Sequence, residues 1–227
     1  MPLKYENIVP WGRNLNEYCK MFDLSQEDLS KKILGCGDGP ASFNYEATQK
    51  GYTIISIDPV YYFTKEQIEK RIEETYYIVM KETSENADRF IWKSFKDVND
   101  LGRVRMAAMK NFLQDYNKGL EEKRYIPGEL PRLELKDNEF DIALSSHFLF
   151  LYSDNLSLDF HIEAMEEMLR VSKELRVFPI LDYNANLSKH YAGVVKHFGD
   201  KGFDVQEVTV DYEFQVGGNK MLRISKM

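Results

Sequence analysis

The 227-residue sequence predicts an α/β protein built on a doubly wound, mostly parallel sheet that ends in an antiparallel hairpin. Three observations carry this prediction. Short β-rich runs at 54–57 and 140–144 alternate with stretches of helical period. A glycine turn, Gly35-Cys36-Gly37-Asp38-Gly39-Pro40, joins the first apolar run to a helical stretch. The last segment, 205–225, reads as two strands around Gly217-Gly218-Asn219 rather than as another crossover.

Residues 31–61 organise the rest. Ile33-Leu34 end a short apolar run, and glycines then follow at alternate positions, where φ is positive or a ligand touches the backbone. Pro40 suits a first helical position, Phe43 and Ala47 share one face, and Gly51 can close the helix in a left-handed cap. Residues 52–57 form the next strand, which ends at Asp58. A strand, turn, helix and strand with an acid at the end is a nucleoside half-site. Backbone N–H groups line the ligand at the helix start, and the carboxylate accepts both ribose hydroxyls. The turn is not the G-x-G-x-x-G of dinucleotide binders. Asp38 inside it repels a pyrophosphate and favours a cationic or zwitterionic ligand, such as S-adenosylmethionine with its sulfonium and amino acid tail. On these residues alone, a dehydrogenase or an unrelated α/β protein with a glycine turn also fits.

Composition sets the bounds. The length suits one domain, 1–227, with room for an insertion. At 43% hydrophobic the chain is neither disordered nor fibrous, and no apolar run reaches membrane-spanning length. Residues 1–6 lack the apolar core of a signal peptide. Cys19 and Cys36 form no CxxC pair, so neither a disulfide framework nor a cysteine zinc site is expected, and the four histidines show no metal-ligand pattern. A cytoplasmic protein without a metal or a membrane partner follows. The net charge of −7 argues against a generally basic nucleic-acid binder.

In chain order, residues 14–22 form an amphipathic helix capped by Asn14 with Glu17 three residues on, preceded by Trp11-Gly12-Arg13; Ser25 starts a second short helix. Roughly 60 residues then separate Asp58 from the third strand, well above the usual connection. They read as a helical insert at about 62–120. Thr64 and Gln67 make a capping box for a stripe of Ile68, Ile72, Tyr76 and Val79; 84–88 is a polar break. A second helix runs from about Asp100 through Val104, Ala108 and Phe112 to a cap at Gly119. A lid, an oligomer contact and a packing extension all fit such an insert. Residues 124–126 are a third strand and Phe140 to Leu144 a fourth, ending at Ser145-Ser146-His147. Ile162, Met165 and Leu169 mark a crossover helix. The fifth strand spans 175–181, with a bulge or an unpaired side expected at Pro179. A helix through Leu187, Tyr191, Val194, Val195 and Phe198 puts His190 and His197 on one face and closes near Gly202.

This series, with Gly35-Cys36-Gly37-Asp38-Gly39-Pro40, Asp58, Glu129 and Phe140-Asp141 followed by a strand and small polar residues, resembles the class I S-adenosylmethionine-dependent methyltransferases over most of the chain outside the insert. The resemblance implies a Rossmann-like sheet and S-adenosylmethionine as cofactor. It implies an N-terminal cap segment of about 1–30, with Arg13 and Trp11 near the cofactor. Further cofactor contacts are implied at Gly35, Cys36, Gly37, Asp58, Pro59, Gly128, Glu129, Leu130, Ser145 and Ser146, with Glu129 accepting from the adenine amino group. One departure stands out. An acid usually precedes the first turn glycine by two residues, near the methionine amino group, and here that position is Ile33. Asp38 is the acid on the same loop.

His147 is the best-placed base for an acceptor that must lose a proton, and it also suits a loop hydrogen bond. Asp182 and Tyr183 fall at the same mouth. The implied activity is methyl transfer to a small-molecule acceptor. One alternative is a nucleic-acid (RNA) methyltransferase using Arg103, Arg105, Lys110, Lys118, Lys123 and Arg124. The other is a cofactor-binding protein without transferase activity.

Overall fold

The computed structural model describes residues 9–226, so the eight residues that begin the expected cap segment, including those read against a signal peptide, lie outside the described residues. Helix α1 (Leu15–Met21) starts at an Asn14–Glu17 capping box and α2 (Gln26–Leu29) at a Ser25–Asp28 box. There follow β1 (Ile33–Cys36), α3 (Phe43–Gln49), β2 (Ile54–Asp58), α4 (Lys65–Glu85), α5 (Val98–Glu121), β3 (Tyr125–Pro127) and β4 (Phe140–Ser146). Then come α6 (Leu158–Val171), β5 (Ser172–Phe178), α7 (Tyr191–Asp200), β6 (Asp204–Thr209) and β7 (Lys220–Ser225). The strands form one sheet in the order β3-β2-β1-β4-β5-β7-β6, with only the pairs involving β7 antiparallel. This is the predicted doubly wound sheet with its terminal hairpin.

The central strands bury both faces, which is why they read as unbroken apolar runs. Alternate residues enter different cores. Ile33, Ile142 and Leu144 pack with Leu15, Tyr18, Phe43 and Ala47 of α1 and α3. Leu34 and Ala143 pack with Met165, Leu169, Val194 and Phe198 of α6 and α7. A third cluster joins Tyr61, Ile68 and Ile72 to Phe112, Tyr116 and Tyr125, tying α4 and α5 to β3. The two helices of the 62–120 region thus pack on β3 through this cluster. Helix α5 is the crossover between β2 and β3, and α4 is the added helix outside it.

Several expectations are corrected. Pro40 is not the first helical residue; α3 begins at Phe43, behind Ser42. Gly119 is not a cap but lies inside α5, where a Cβ would come within 2.3 Å of the Tyr125 ring, so a close helix–strand approach explains it. The fifth strand begins earlier and ends at Phe178, which places Pro179 beyond the ladder and removes the need for a bulge. Leu187 is exposed and precedes α7, and His190 flanks that helix instead of sharing a face with His197. His190 Nε2 sits 2.9 Å from the Leu156 carbonyl, whereas His197 meets Glu166. The hairpin strand β6 stops at Thr209, and the longer connection after it buries Tyr212.

Candidate functional site

The parallel register sets which residues meet at the sheet's C-terminal edge. Gly35 lies beside Ser56 and Leu144, and Asp58 beside Pro127. The turn after β1, the acid ending β2, the Gly128-Glu129 loop and the Ser146-His147 end of β4 thus open on one side, as ligand crevices in open α/β sheets do. They line a cavity of about 840 Å³, together with the 9–13 segment and one face of α4.

Gly37 and Gly39 have positive φ, 75° and 54°. A Cβ on Gly37 would also stand 3.2 Å from the Phe148 ring. The turn's N–H groups are partly committed: Gly37 donates to the Ile57 carbonyl at 2.9 Å, and Gly39 donates to Asp58 Oδ2 at 2.7 Å. The expectation that these donors all face a ligand is corrected accordingly. Asp58 is buried, and its Oδ1 accepts the Val60 N–H at 2.7 Å. Each carboxylate oxygen keeps a second lone pair. Burial raises the Asp58 pKa to about 6, against the pull of the two N–H groups.

Asp38 folds over β1. Its oxygens accept the Tyr18 hydroxyl at 2.7 Å and the Ser56 hydroxyl at 2.6 Å, and burial raises its pKa to about 6 as well. A Cβ on Gly35 would fall 1.9 Å from Asp38 Oδ2, so Gly35 makes room for this carboxylate and does not line the cavity. Ser145 is likewise off the lining, fully buried with its hydroxyl unpartnered among the described residues. Cys36, Pro59, Gly128, Glu129, Leu130 and Ser146 do line it. The Glu129 side chain is exposed, one strand over from Asp58. Ile33 is fully buried in the sheet, so Asp38 is the acid that this loop brings to the cavity.

The N-terminal segment crosses directly over the glycine turn. A Cβ on Gly12 would lie 2.0 Å from the Pro40 carbonyl oxygen, a contact only glycine allows. Trp11 and Arg13 on either side both line the cavity. Arg13 donates to the Trp11 carbonyl at 3.1 Å, while its Nε is buried with no partner among the described residues. Burial, then the neighbouring Arg105, lowers its pKa. Arg105 itself is buried and donates to Glu17 Oε2 at 2.6 Å and to the Tyr212 hydroxyl at 3.2 Å. In the sequence Glu17 stands out only as a capping residue and Arg105 only as one of the basic residues between 103 and 124; their helical periods hold no sign that they pair across 88 positions.

His147 lines the cavity with φ of 52°, a left-handed conformation uncommon outside glycine. Its N–H donates to the Phe178 carbonyl at 2.6 Å, which fixes the turn. Its Nδ1 is 3.0 Å from Ser146 Oγ. Burial, then the Arg13 and Arg105 charges, holds its pKa well below the usual histidine range, so the ring is neutral near pH 7. Tyr183 lines the cavity and Asp182 does not; Asp182 accepts the Asn184 and Asn186 N–H groups in its own turn. Of the six basic residues named for a nucleic-acid acceptor, Arg103, Lys110, Lys118 and Lys123 are exposed and four of the six are engaged with carboxylates. Arg105 and Arg124 are buried, paired with Glu17 and Asp115, and Arg103 and Lys118 are paired with Asp100 and Glu122. Among the described residues no cluster of metal-ligating side chains occurs, and no helix is long and apolar enough to cross a membrane.

No family model matches the sequence. Among solved structures, the chain is similar to magnesium protoporphyrin IX methyltransferase from Synechocystis PCC 6803 with bound SAM, at 14% identity and a TM-score of 0.45, covering 87% of this chain and 71% of that one. It is also similar to a SAM-dependent methyltransferase from Aquifex aeolicus, at 14% identity and a TM-score of 0.45, covering 92% and 90%. In sequence it is 37% identical over 225 residues to the uncharacterized protein MJ0045 of Methanocaldococcus jannaschii, spanning 99% of each chain. On that full-length likeness, the chain belongs to the same family as the Methanocaldococcus protein.

Proposed function

We propose that the protein is an S-adenosylmethionine-dependent methyltransferase acting on a small-molecule acceptor. The observation that carries this is Asp58, a buried carboxylate fixed by two backbone N–H groups at a strand end, with a lone pair left on each oxygen. Two ribose hydroxyls match that acceptor pair, and each hydrogen bond to a charged group contributes roughly 1.5–3 kcal/mol. Glu129, from the next strand, is the acceptor for an adenine amino group. Arg13, with its buried unpartnered Nε, suits the methionine carboxylate, and Asp38 suits the amino group. These residues fit the cofactor at both ends. NAD would bring a pyrophosphate against Asp38, where like charges repel.

When bound, S-adenosylmethionine supplies the methyl carbon and takes the carbon–sulfur electron pair onto sulfur. The chain's own part is orientation and proton handling. Ser146 Oγ lies 3.8 Å from Met21 Sδ, so its hydroxyl can donate there and accept from His147 Nδ1–H. In that tautomer Nε2, which has no partner among the described residues, is the free base for an acceptor proton. The Arg13 and Arg105 charges that weaken His147 as a base also acidify an acceptor hydroxyl nearby. Helix α4, through Gln67, Arg71, Val79 and Thr83, closes one side of the cavity over the acceptor. The paired state of Arg103, Arg105, Lys118 and Arg124 weighs against a nucleic-acid acceptor.

Calorimetry with S-adenosylhomocysteine and NAD tests the cofactor half. Binding of NAD without the nucleoside sulfide overturns it. Formation of S-adenosylhomocysteine from S-adenosylmethionine in the presence of a metabolite extract tests the transfer half. Tight binding with no turnover on any fraction leaves a cofactor-binding protein in its place.

A further inference from the structure

Part of the cavity wall lies outside the turn, Asp58 and Glu129. Arg89 lies in the 86–97 connection between α4 and α5, half-buried and lining the cavity. Its Nη2 donates to the Asn184 carbonyl at 3.2 Å, and no carboxylate pairs with it among the described residues. Three buried arginines are matched, Arg105 to Glu17, Arg124 to Asp115 and Arg176 to Asp28 and Glu174, whereas of the cavity-lining arginines Arg13, assigned above to the cofactor carboxylate, and Arg89 have no carboxylate partner among the described residues. Glu82, a carboxylate that also lines the cavity, is itself already engaged. A half-buried guanidinium with one neutral partner retains donors in a planar fork that suits a carboxylate or phosphate.

The surface beside it is aromatic and held in place. Phe90 stacks on Phe214 with centroids 4.6 Å apart and planes 12° apart, and Tyr183 lies 6.2 Å from Tyr152; all four line the cavity. Phe90 bridges to Gln215, and the Ile91 N–H donates to the Phe214 carbonyl at 2.7 Å, which pins this connection to the segment before β7. The total volume of about 840 Å³ is near the upper end for small-ligand cavities, enough for a nucleoside and a second small molecule.

We propose that this chamber holds the methyl acceptor, and that the acceptor is a small anion. Its carboxylate or phosphate sits on Arg89, and its planar, largely apolar body lies against Phe90, Phe214 and Tyr183. The assignment rests on the methyltransferase reading for the word acceptor, but the anion site can be tested separately. Calorimetry on protein with and without saturating S-adenosylhomocysteine uses three probes: 4-hydroxybenzoate, phenyl phosphate and the uncharged 4-hydroxybenzamide. At least one anion should bind about tenfold or more tighter than the amide, and the tighter anion identifies the group. Arg89→Gln should bring that anion to the level of the amide and change S-adenosylhomocysteine affinity by less than about twofold, while Arg89→Lys keeps part of the preference. Equal binding of anions and amide, no binding of any probe, or an undiminished preference in Arg89→Gln overturns the anion site. Failure of S-adenosylhomocysteine to bind, with the anion preference intact, overturns the cofactor reading and not this one.

Discussion

Asp58 accepts the Gly39 N–H at 2.7 Å, so the acid ending β2 and the turn following β1 are one rigid unit. Tyr61 adds a second tie by donating its hydroxyl to the Gly39 carbonyl at 2.9 Å. The carboxylate that would bind the ribose is therefore held in place before any ligand arrives, which lowers the ordering cost of binding.

Replacing Asp58 tests this unit. Asp58→Ala removes two charge-assisted acceptors and should weaken S-adenosylhomocysteine binding by about a hundredfold or more. Glu129→Ala removes one exposed acceptor and should cost less than about tenfold. Isothermal titration of both variants, with folding checked by circular dichroism, measures the ratio. A folded Asp58→Ala protein that binds normally refutes the cofactor assignment.

The two acids of the site make a pH prediction. Burial lifts both Asp38 and Asp58 from an ordinary value of 3.8 to about 6. The folded, ligand-free protein thus holds more protons than the unfolded chain between those limits. The associated stability is full below the lower limit and is lost as pH rises through about 6. Ribose hydroxyls favour the charged Asp58, so ligand affinity moves the opposite way, rising through the same window and levelling above it. His147, held well below its usual range, adds no titration near neutrality. Thermal denaturation from pH 5 to pH 8 should show a small S-adenosylhomocysteine stabilisation at the acid end and the full one by pH 7. A ligand-induced shift independent of pH would sink the idea.

Arg13 separates the two ends of the cofactor. Arg13→Met keeps the apolar stem and removes the charge, so S-adenosylhomocysteine should bind about tenfold or more weakly. 5′-Methylthioadenosine, which has no carboxylate, should bind the variant and the parent alike. Equal losses for both ligands would mean that Arg13 supports the pocket and does not contact the carboxylate.

The parts of this site carried by local pattern were legible in the sequence. The turn, Asp58, the strand end at Ser146-His147 and the capping boxes at Asn14 and Thr64 involve neighbours within a few residues, where spacing speaks directly. Terminal boundaries were less so: the apolar run continues past Pro179 to Leu181 although β5 ends at Phe178, and the strand's start at Ser172 lay hidden behind the charged residues Lys173 and Glu174 at the sheet margin. What was not legible joins distant segments. Tyr18 with Asp38, Glu17 with Arg105 and Arg89 with Asn184 are set by how distant helices and loops come together, and no period in the chain announces them. The burial of Arg105 and Arg124 was hidden for the same reason, since composition cannot tell a buried paired arginine from an exposed one.

Gly12 offers the most direct test of how the N-terminal segment serves the site. Its α-carbon passes so close to the glycine turn that a methyl group would sit 2.0 Å from the Pro40 carbonyl oxygen and 3.0 Å from the Ala41 nitrogen. Those are backbone atoms, so relief cannot come from a side chain turning away; the segment itself has to lift. Lifting it moves Trp11 and Arg13, which both line the cavity, away from Asp38 and His147. The sheet and its two cores lie below the turn and are not strained by the change, while Trp11 also loses its contact with Tyr76 at 5.9 Å. Gly12→Ala should therefore lower S-adenosylhomocysteine affinity by about tenfold while methylthioadenosine affinity changes less, the same pattern as Arg13→Met but with the guanidinium still present. Its cost to the melting temperature should stay small, within the range of a surface-loop substitution. Gly12→Ser should behave like the alanine variant, since the obstacle is Cβ and not polarity. If either variant binds S-adenosylhomocysteine as the parent does, the segment is not the part of the chain that presents Arg13 to the ligand.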